Sequence, residues 1–354
     1  MTRRLSRYII SHILGLTAIV ALGLMSIHAF VTFVAQLDEV RQGFGYPQLL
    51  SYVLWLMPNG LYVMLPIIAM LGTLLGLGTL AGQSELIAMR AAGVSLLRIG
   101  VATLGAGLVL GALALALGDW LAPMGDQAAE ALRNEAHSGV PSGIGGKPVW
   151  LREGEHVFQI QRLLAEDHIA SVEVYTLGPD LNLTAVMSVE DGTWQGGSWR
   201  FTGIKRTEFT ASGARTVEQP SMDWPGTLSP EVLRLVVLES DALSSAGLVR
   251  LIRYLDANNL DARAYALALA RKVVAPFTVM AMMLFAIPFV LGSLRTAGAG
   301  QKLFVGVLVG LAFYVVNEVT ANTGQLYGWH PLVSAAAPTL AFAAIALFRL
   351  SHTR

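Results

Sequence analysis

The chain has 354 residues, of which 54% are hydrophobic and 14% charged, and its 24 lysines and arginines balance 24 acidic residues. A soluble domain is about one quarter charged, so this balance points to a membrane protein and excludes a broad basic surface for nucleic acid. Cysteine is absent, which removes disulfides, thiol catalysis and cysteine metal sites while leaving the compartment open.

In chain order, Arg3, Arg4 and Arg7 precede an apolar run from Tyr8 to about Ala35. A secretory h-region is about 7–15 residues, so this longer run reads as a retained membrane helix. Runs near 51–81, 99–122, 271–291, 303–323 and 332–350 also reach the about 20 residues a membrane helix needs. The fold expected is six spans, three plus three, with a polar insert between the third and fourth. The expected divisions are residues 1–122, 123–264 and 265–354.

Lysines and arginines at span ends set orientation. One side collects Arg3, Arg4, Arg7, Arg90, Arg98, Arg295, Lys302, Arg349 and Arg354; the short loops opposite hold Arg41. Both termini, the stretch 82–95 and the loop 292–302 are therefore expected in the cytoplasm. The insert would lie outside the inner membrane, in the periplasm of a two-membrane bacterium.

The second run contains Pro58 and Pro66, which tend to kink a helix. Gly72/Gly76, Gly78/Gly82, Gly107/Gly111 and Gly306/Gly310 have small-xxx-small spacing. That spacing suits tight packing within the chain or against a second membrane subunit, and the sequence leaves both open.

Between the second and third runs, Ser84 reads as a helix N-cap and Gly93 as a C-terminal stop. Two turns are not stable alone in water, so such a helix needs docking. Leu86, Ile87 and Met89 would supply apolar contacts, and Glu85 and Arg90 would fix register in a partner groove. The plainer reading is a cytoplasmic loop with a short interfacial helix.

The insert carries short alternating runs at 149–151, 156–160, 171–175, 181–186 and 199–202, with a final strand expected at 232–238. Turn signals include Asp191-Gly192 and Ser212-Gly213. The pattern suggests an all-β sandwich, jelly roll or open barrel. Leu248, Leu251, Ile252 and Leu255 share one face of a helix that Asn258-Asn259 would end.

No P-loop is present: Gly146-Lys147 lacks the upstream glycine and Gly298-Ala299-Gly300-Gln301-Lys302 has the wrong spacing. ATP, if used, would be hydrolysed by another chain. The sequence also lacks HExxH and GxSxG, and its seven histidines do not fall at ligand spacings. His12 and His28 read as packed or interfacial, and His156 and His168 as surface residues. Asn317-Glu318, late in the fifth run, reads either as a paired carboxylate or as the lining of a polar cavity. Arg133, flanked by Glu130 and Glu135, belongs to a salt-bridged surface helix or forms a cationic site for an anionic amphiphile.

The segment Leu75-Gly76-Leu77-Gly78-Thr79-Leu80-Ala81-Gly82-Gln83-Ser84-Glu85-Leu86-Ile87-Ala88-Met89-Arg90-Ala91-Ala92-Gly93 resembles the second-span and coupling-helix signature of the LptF/LptG lipopolysaccharide export permeases. Gly118-Asp119-Trp120-Leu121-Ala122-Pro123 resembles the motif ending their third span. Phe33-Val34-Ala35-Gln36-Leu37 and Phe313-Tyr314-Val315 fit as well, and the resemblance covers the whole chain, running closer to LptG. It implies six membrane helices with a periplasmic jelly-roll-like domain. It also implies LptF as heterodimeric membrane partner, two LptB ATPase subunits, and LptC with the periplasmic bridge as recipient of lipopolysaccharide. ATP and Mg would be bound by the ATPase, and no cofactor by this chain. Ser84, Glu85, Leu86, Met89 and Arg90 would couple to the ATPase. Arg133, Arg41, Phe33, Asn317 and Glu318 would meet the lipid. Relatives carry lysines at the outer end of the first span, where this chain has Thr32, Asp38 and Glu39. That departure leaves a changed headgroup chemistry or a divalent-ion bridge open. Two rivals are a stand-alone secondary transporter, with Glu318 as its protonatable group, and a periplasmic scaffold recruiting partners by β-augmentation.

Overall fold

The computed structural model describes residues 2–42, 45–138, 148–165, 167–180, 182–210, 213–225, 229–237, 240–292 and 298–352. They form two compact units: Met1–Ala35, Val53–Asp126 and Ala266–Arg354 in one, Gln36–Tyr52 and Gln127–Tyr265 in the other.

The first unit is helical. Its elements are α1 (Thr2–Ala35), the body of α2 (Tyr46–Gly82), α3 (Glu85–Ala91), α4 (Leu96–Ala116), α8 (Arg263–Leu291), α9 (Ala299–Leu326) and α10 (Pro331–His352). All six expected spans appear as helices long and apolar enough to cross a membrane. The second and fourth are longer than the apolar runs implied, starting at Tyr46 and Arg263. Backbone hydrogen bonds continue through polar residues once a helix has formed, so hydropathy alone places the ends too far in.

Close packing of these helices depends on glycine. A Cβ on Gly72 would stand 2.5 Å from the Thr17 backbone, and one on Gly76 3.1 Å from that of Ile13, so α2 presses on α1. Gly306 and Gly310 of α9 lie against Leu71 and Ile67 of α2; Gly107 and Gly111 of α4 lie against Met280 and Pro276 of α8. The 72/76, 107/111 and 306/310 motifs are thus used within the chain, whereas a Cβ on Gly82 would meet nothing within 4 Å among the described residues. Lipid tails give little hydrophobic drive between helices, so such backbone approaches carry much of the packing. Polar links add direction: Thr278 and Thr339 share a 2.8 Å bond between α8 and α10.

The helix of the third span continues beyond its apolar run, 99–122. It passes through a π turn at Leu117–Leu121 into α5 (Ala122–Ser138). In this turn the Ala122 N–H reaches back five residues to the Leu117 carbonyl. The next possible donor is Pro123, which has no N–H. The Gly118 carbonyl is left without a main-chain donor, and the buried Lys272 ammonium of α8 donates to it.

The second unit is built on one antiparallel sheet. Its strands are β1 (Val149–Glu153), β2 (His156–Ala165), β3 (His168–Leu177), β4 (Leu183–Trp194), β5 (Ser198–Thr210) and β6 (Gly213–Pro225), hydrogen-bonded in sequential order. Strands four spacings apart would stand about 19 Å apart in a flat sheet. Trp224 of β6 nevertheless meets His156 and Phe158 of β2 at ring centroid distances of 4.8 and 5.6 Å. The sheet therefore rolls over on itself, with Val172, Val174, Val189, Trp199 and Phe201 buried inside. His156, expected at the surface, is half-buried here, and burial holds its pKa below the ordinary histidine value.

Three expectations for the insert are corrected. Asp191-Gly192 is not a turn; β4 continues through it, and Gly192 pairs with Ile169 on one side and Phe201 on the other. A Cβ there would stand 2.9 Å from Ile169, so the glycine makes room rather than a bend. Residues 232–237 of the strand expected at 232–238 are helical, and Leu238 lies outside the described residues. They belong to α6 (Pro230–Val237), started by Pro230 in the first turn with Ser229 Oγ accepting from Val232 N–H at 3.4 Å. The last strand is instead β6, which periodicity missed because almost every residue is exposed and it carries Pro220, tolerated on an edge strand. The expected amphipathic helix is α7 (Ser245–Ala257), with Leu248 and Leu251 fully buried and Asn259 left-handed at its end.

Candidate coupling and lipid-facing sites

α3 is seven residues long, and its neighbours decide its ends. At the C-terminus Gly93 N–H donates to Arg90 O and Val94 N–H to Met89 O, both at 3.0 Å. With Gly93 at φ 88°, this is a Schellman closure of the kind glycine favours. The N-terminus differs from expectation. Ser84 occupies the N-cap position with left-handed backbone, φ 63°, and its side chain makes no capping bond. The entry is tight because α2 ends at Gly82, and a normal extended cap would send α3 elsewhere.

The side chains of α3 divide between two tasks. Leu86 is buried in the helical core, and Met89 packs against that core. These two anchor α3 to its own chain. Ile87, Ala88, Arg90 and Ala91 are exposed. Glu85 in the first turn and Arg90 in the last match the helix dipole. The Tyr8 hydroxyl of α1 donates to Glu85 Oε2 at 2.9 Å. A cleft of about 370 Å³ opens between Ala81 of α2, Leu86, Ile87, Arg90 and Ala91 of α3, and Val290 and Leu291 of α8. Among the described residues its lining side chains are apolar with one cation, Arg90, which fits an apolar side chain neighboured by a carboxylate.

A second polar feature lies within the spans. Arg271 of α8 donates to both carboxylate oxygens of Glu318 on α9, at 3.1 and 3.2 Å. Glu318 is thus a paired carboxylate. Arg271 escapes a reading by hydropathy because the apolar run begins there. The helix starts eight residues earlier, which places Arg271 about 12 Å along it. An arginine–lysine pair at the edge of an apolar run was the available signal. Arg271 Nε is buried with no hydrogen-bond partner among the described residues.

Asn317 and Phe33 are half-buried on α9 and α1. Arg133 is half-buried on α5 and belongs to the second unit. Arg41 falls in the 3₁₀ turn Leu37–Gln42, and its side chain lies outside the described residues, as do those of Glu39 and Glu135 and the whole of Arg295. Exposure is uneven among the spans. Only 6% of the apolar window of the first span and 17% of that of the fifth are buried, against 67% in the second. Phe30 and Val34 of α1 and Phe304, Leu308 and Leu311 of α9 are exposed apolar residues.

Six apolar helices, a short docked helix after the second and a rolled β domain after the third define a multi-pass membrane permease with an inserted β domain. The chain matches the family described as lipopolysaccharide export system permease LptF/LptG over residues 7–352, and it belongs to that family. It is 30% identical to the lipopolysaccharide export system permease protein LptG of Escherichia coli K12 over 354 residues, spanning 98% of this chain and 97% of the relative. It is equally 30% identical to LptG of Haemophilus influenzae over 357 residues, covering 100% of both. These relationships make it a multi-pass inner-membrane protein.

Proposed function

We propose that this chain is the LptG-type permease subunit of a lipopolysaccharide exporter and is driven through α3 by a separate ATPase. The observation that carries the driving step is α3 itself: Leu86 and Met89 fasten it to the core while Ile87, Arg90 and the adjoining cleft face outward. A helix fixed on one side and open on the other transmits force in either direction. ATP and Mg would be bound by that partner, an LptB-type dimer.

Both termini and α3 lie in the cytoplasm in this reading, and the β domain lies in the periplasm, where it would pass lipid toward LptC and the bridge. The exposed apolar faces of α1 and α9 would meet an LptF partner and the acyl chains. Phe33 would contact acyl chains; Arg133, Arg41, Asn317 and Glu318 would contact the headgroup or its counter-ions. Glu318, the protonatable group of the secondary-transporter alternative, is engaged by Arg271 of α8.

The test is co-purification with LptF- and LptB-type partners, followed by reconstitution in liposomes. Glu85→Lys is expected to keep the heterodimer and to reduce ATP-dependent lipid release at least tenfold. Unchanged release would sink the coupling role. A photo-crosslinker at Arg133 in cells is expected to trap lipopolysaccharide; capture of protein alone would remove α5 from the lipid path.

A further inference from the structure

Lys302 is 5% exposed and sits in the first turn of α9. A cation there is badly placed for its own helix dipole, whose N-terminal end is already positive. It is well placed for a neighbour. Its Nζ donates to the Gly78 carbonyl at 3.0 Å, one turn before α2 ends. Gly78 makes the approach possible, since a Cβ there would stand 2.8 Å from Nζ and 2.9 Å from Cδ. No carboxylate pairs with Lys302 among the described residues, so the α2 carbonyl end supplies its stabilisation.

Glu85 lies seven positions after Gly78. On the opposite flank, His12 of α1 shares a 2.8 Å bond with Thr79, and Tyr8 of α1 holds Glu85. The segment leading into α3 is therefore tied by side-chain bonds to α1 and to α9. These are the two least buried spans. We propose that Lys302 is a positioning residue that pins α9 to the end of α2, so that displacement of α3 moves the second and fifth spans as one body. This rests on the reading that α3 docks on an ATPase; it adds that the lysine–glycine contact, at the cytoplasmic end of the Gly306 and Gly310 packing, carries force to α9.

The test uses the complete complex in liposomes, with ATP hydrolysis and release of lipopolysaccharide to a soluble acceptor measured together. Lys302→Met keeps the stem and removes the donor. It is expected to hydrolyse ATP within twofold of the unaltered complex while lipid released per ATP falls at least tenfold. Lys302→Arg, which restores a donor, is expected to recover most of that ratio. The chain has no cysteine, so a Leu71→Cys/Gly306→Cys pair gives an independent lock. Leu71 Cγ stands 3.6 Å from where a Gly306 Cβ would be. Oxidation of that pair is expected to leave lipid release intact, because α2 and α9 already move together.

Unaltered lipid release per ATP in Lys302→Met would overturn the pin, as would arrest of release by the oxidised cysteine pair while hydrolysis continues. If Lys302→Met does not assemble, the cysteine pair decides alone. Failure of the unaltered chain to retain any ATPase would instead overturn the docking reading, and this inference with it.

Discussion

At single residues, the glycines and one histidine give the sharpest expectations. Gly192 sits in the middle of β4 with Ile169 and Phe201 closed over it. Gly192→Ala forces a methyl group into that space and is expected to destabilise the β domain by about 1–3 kcal/mol. Denaturant unfolding of the full chain, followed by tryptophan fluorescence, reads this directly because Trp199 is buried in the same sheet. Gly93→Ala must place a side chain at φ 88°, at a cost of about 1–2 kcal/mol. The loss should appear as faster hydrogen exchange in α3 with the spans unchanged. His156 is held below its ordinary pKa chiefly by burial. The unfolded chain then binds a proton before the folded chain does, so stability falls as pH drops through about 6.5 toward the lower folded pKa. Thermal unfolding between pH 7.5 and 5 should show this slope, and His156→Phe should flatten it. An unchanged slope in the variant would assign the pH dependence elsewhere.

Among the elements, the π turn joining α4 to α5 shows how a local motif depends on a distant side chain. Pro123 strands the Gly118 carbonyl, and Lys272 rescues it. Lys272→Met alone is expected to cost about 1–3 kcal/mol, the usual penalty for an unsatisfied buried acceptor. Pro123→Ala returns a main-chain N–H, so the same lysine change should cost less in that background. A double-mutant cycle in detergent measures the difference, and strict additivity would show that the two residues do not serve one carbonyl. α6 and β6 teach a related lesson. Apolar residues at 232–238 suit a strand or a helix equally, and Pro230 with Ser229 chose the helix. The edge strand β6 buries too little to leave an alternating pattern. Its pairing to β5 is held by backbone bonds and by Arg200–Asp223, with a 2.9 Å contact, on the exposed face.

For the whole molecule, the uneven burial of the spans sets the expectation for assembly. Leu308 on α9 is 50% exposed and outside the helical core. Leu308→Trp, which keeps the lipid-facing surface apolar, should therefore leave the isolated chain folded. It should reduce co-purification of a second permease subunit at least tenfold, about 1.4 kcal/mol or more. Full retention would move the subunit interface away from this face of α9.

Six spans, the inserted β domain, α3 and its Gly93 stop could all be read from one dimension, because each depends on residues close together in the chain. Twenty apolar residues must cross a bilayer, and glycine ends a helix wherever its left-handed conformation is needed. The family signature was legible for the same reason, being contiguous from Leu75 to Gly93. Pairings across long separations were not. Arg271 meets Glu318 across 47 residues and Lys302 meets Gly78 across 224, and nothing in either local sequence names the partner. Only tertiary packing decided which way the small-residue motifs of α2, α4 and α9 face, and that Leu86 anchors α3 inward while Ile87 and Arg90 remain outward. A polar or small residue in a membrane helix must find its complement on another helix, and that choice is made when the helices pack.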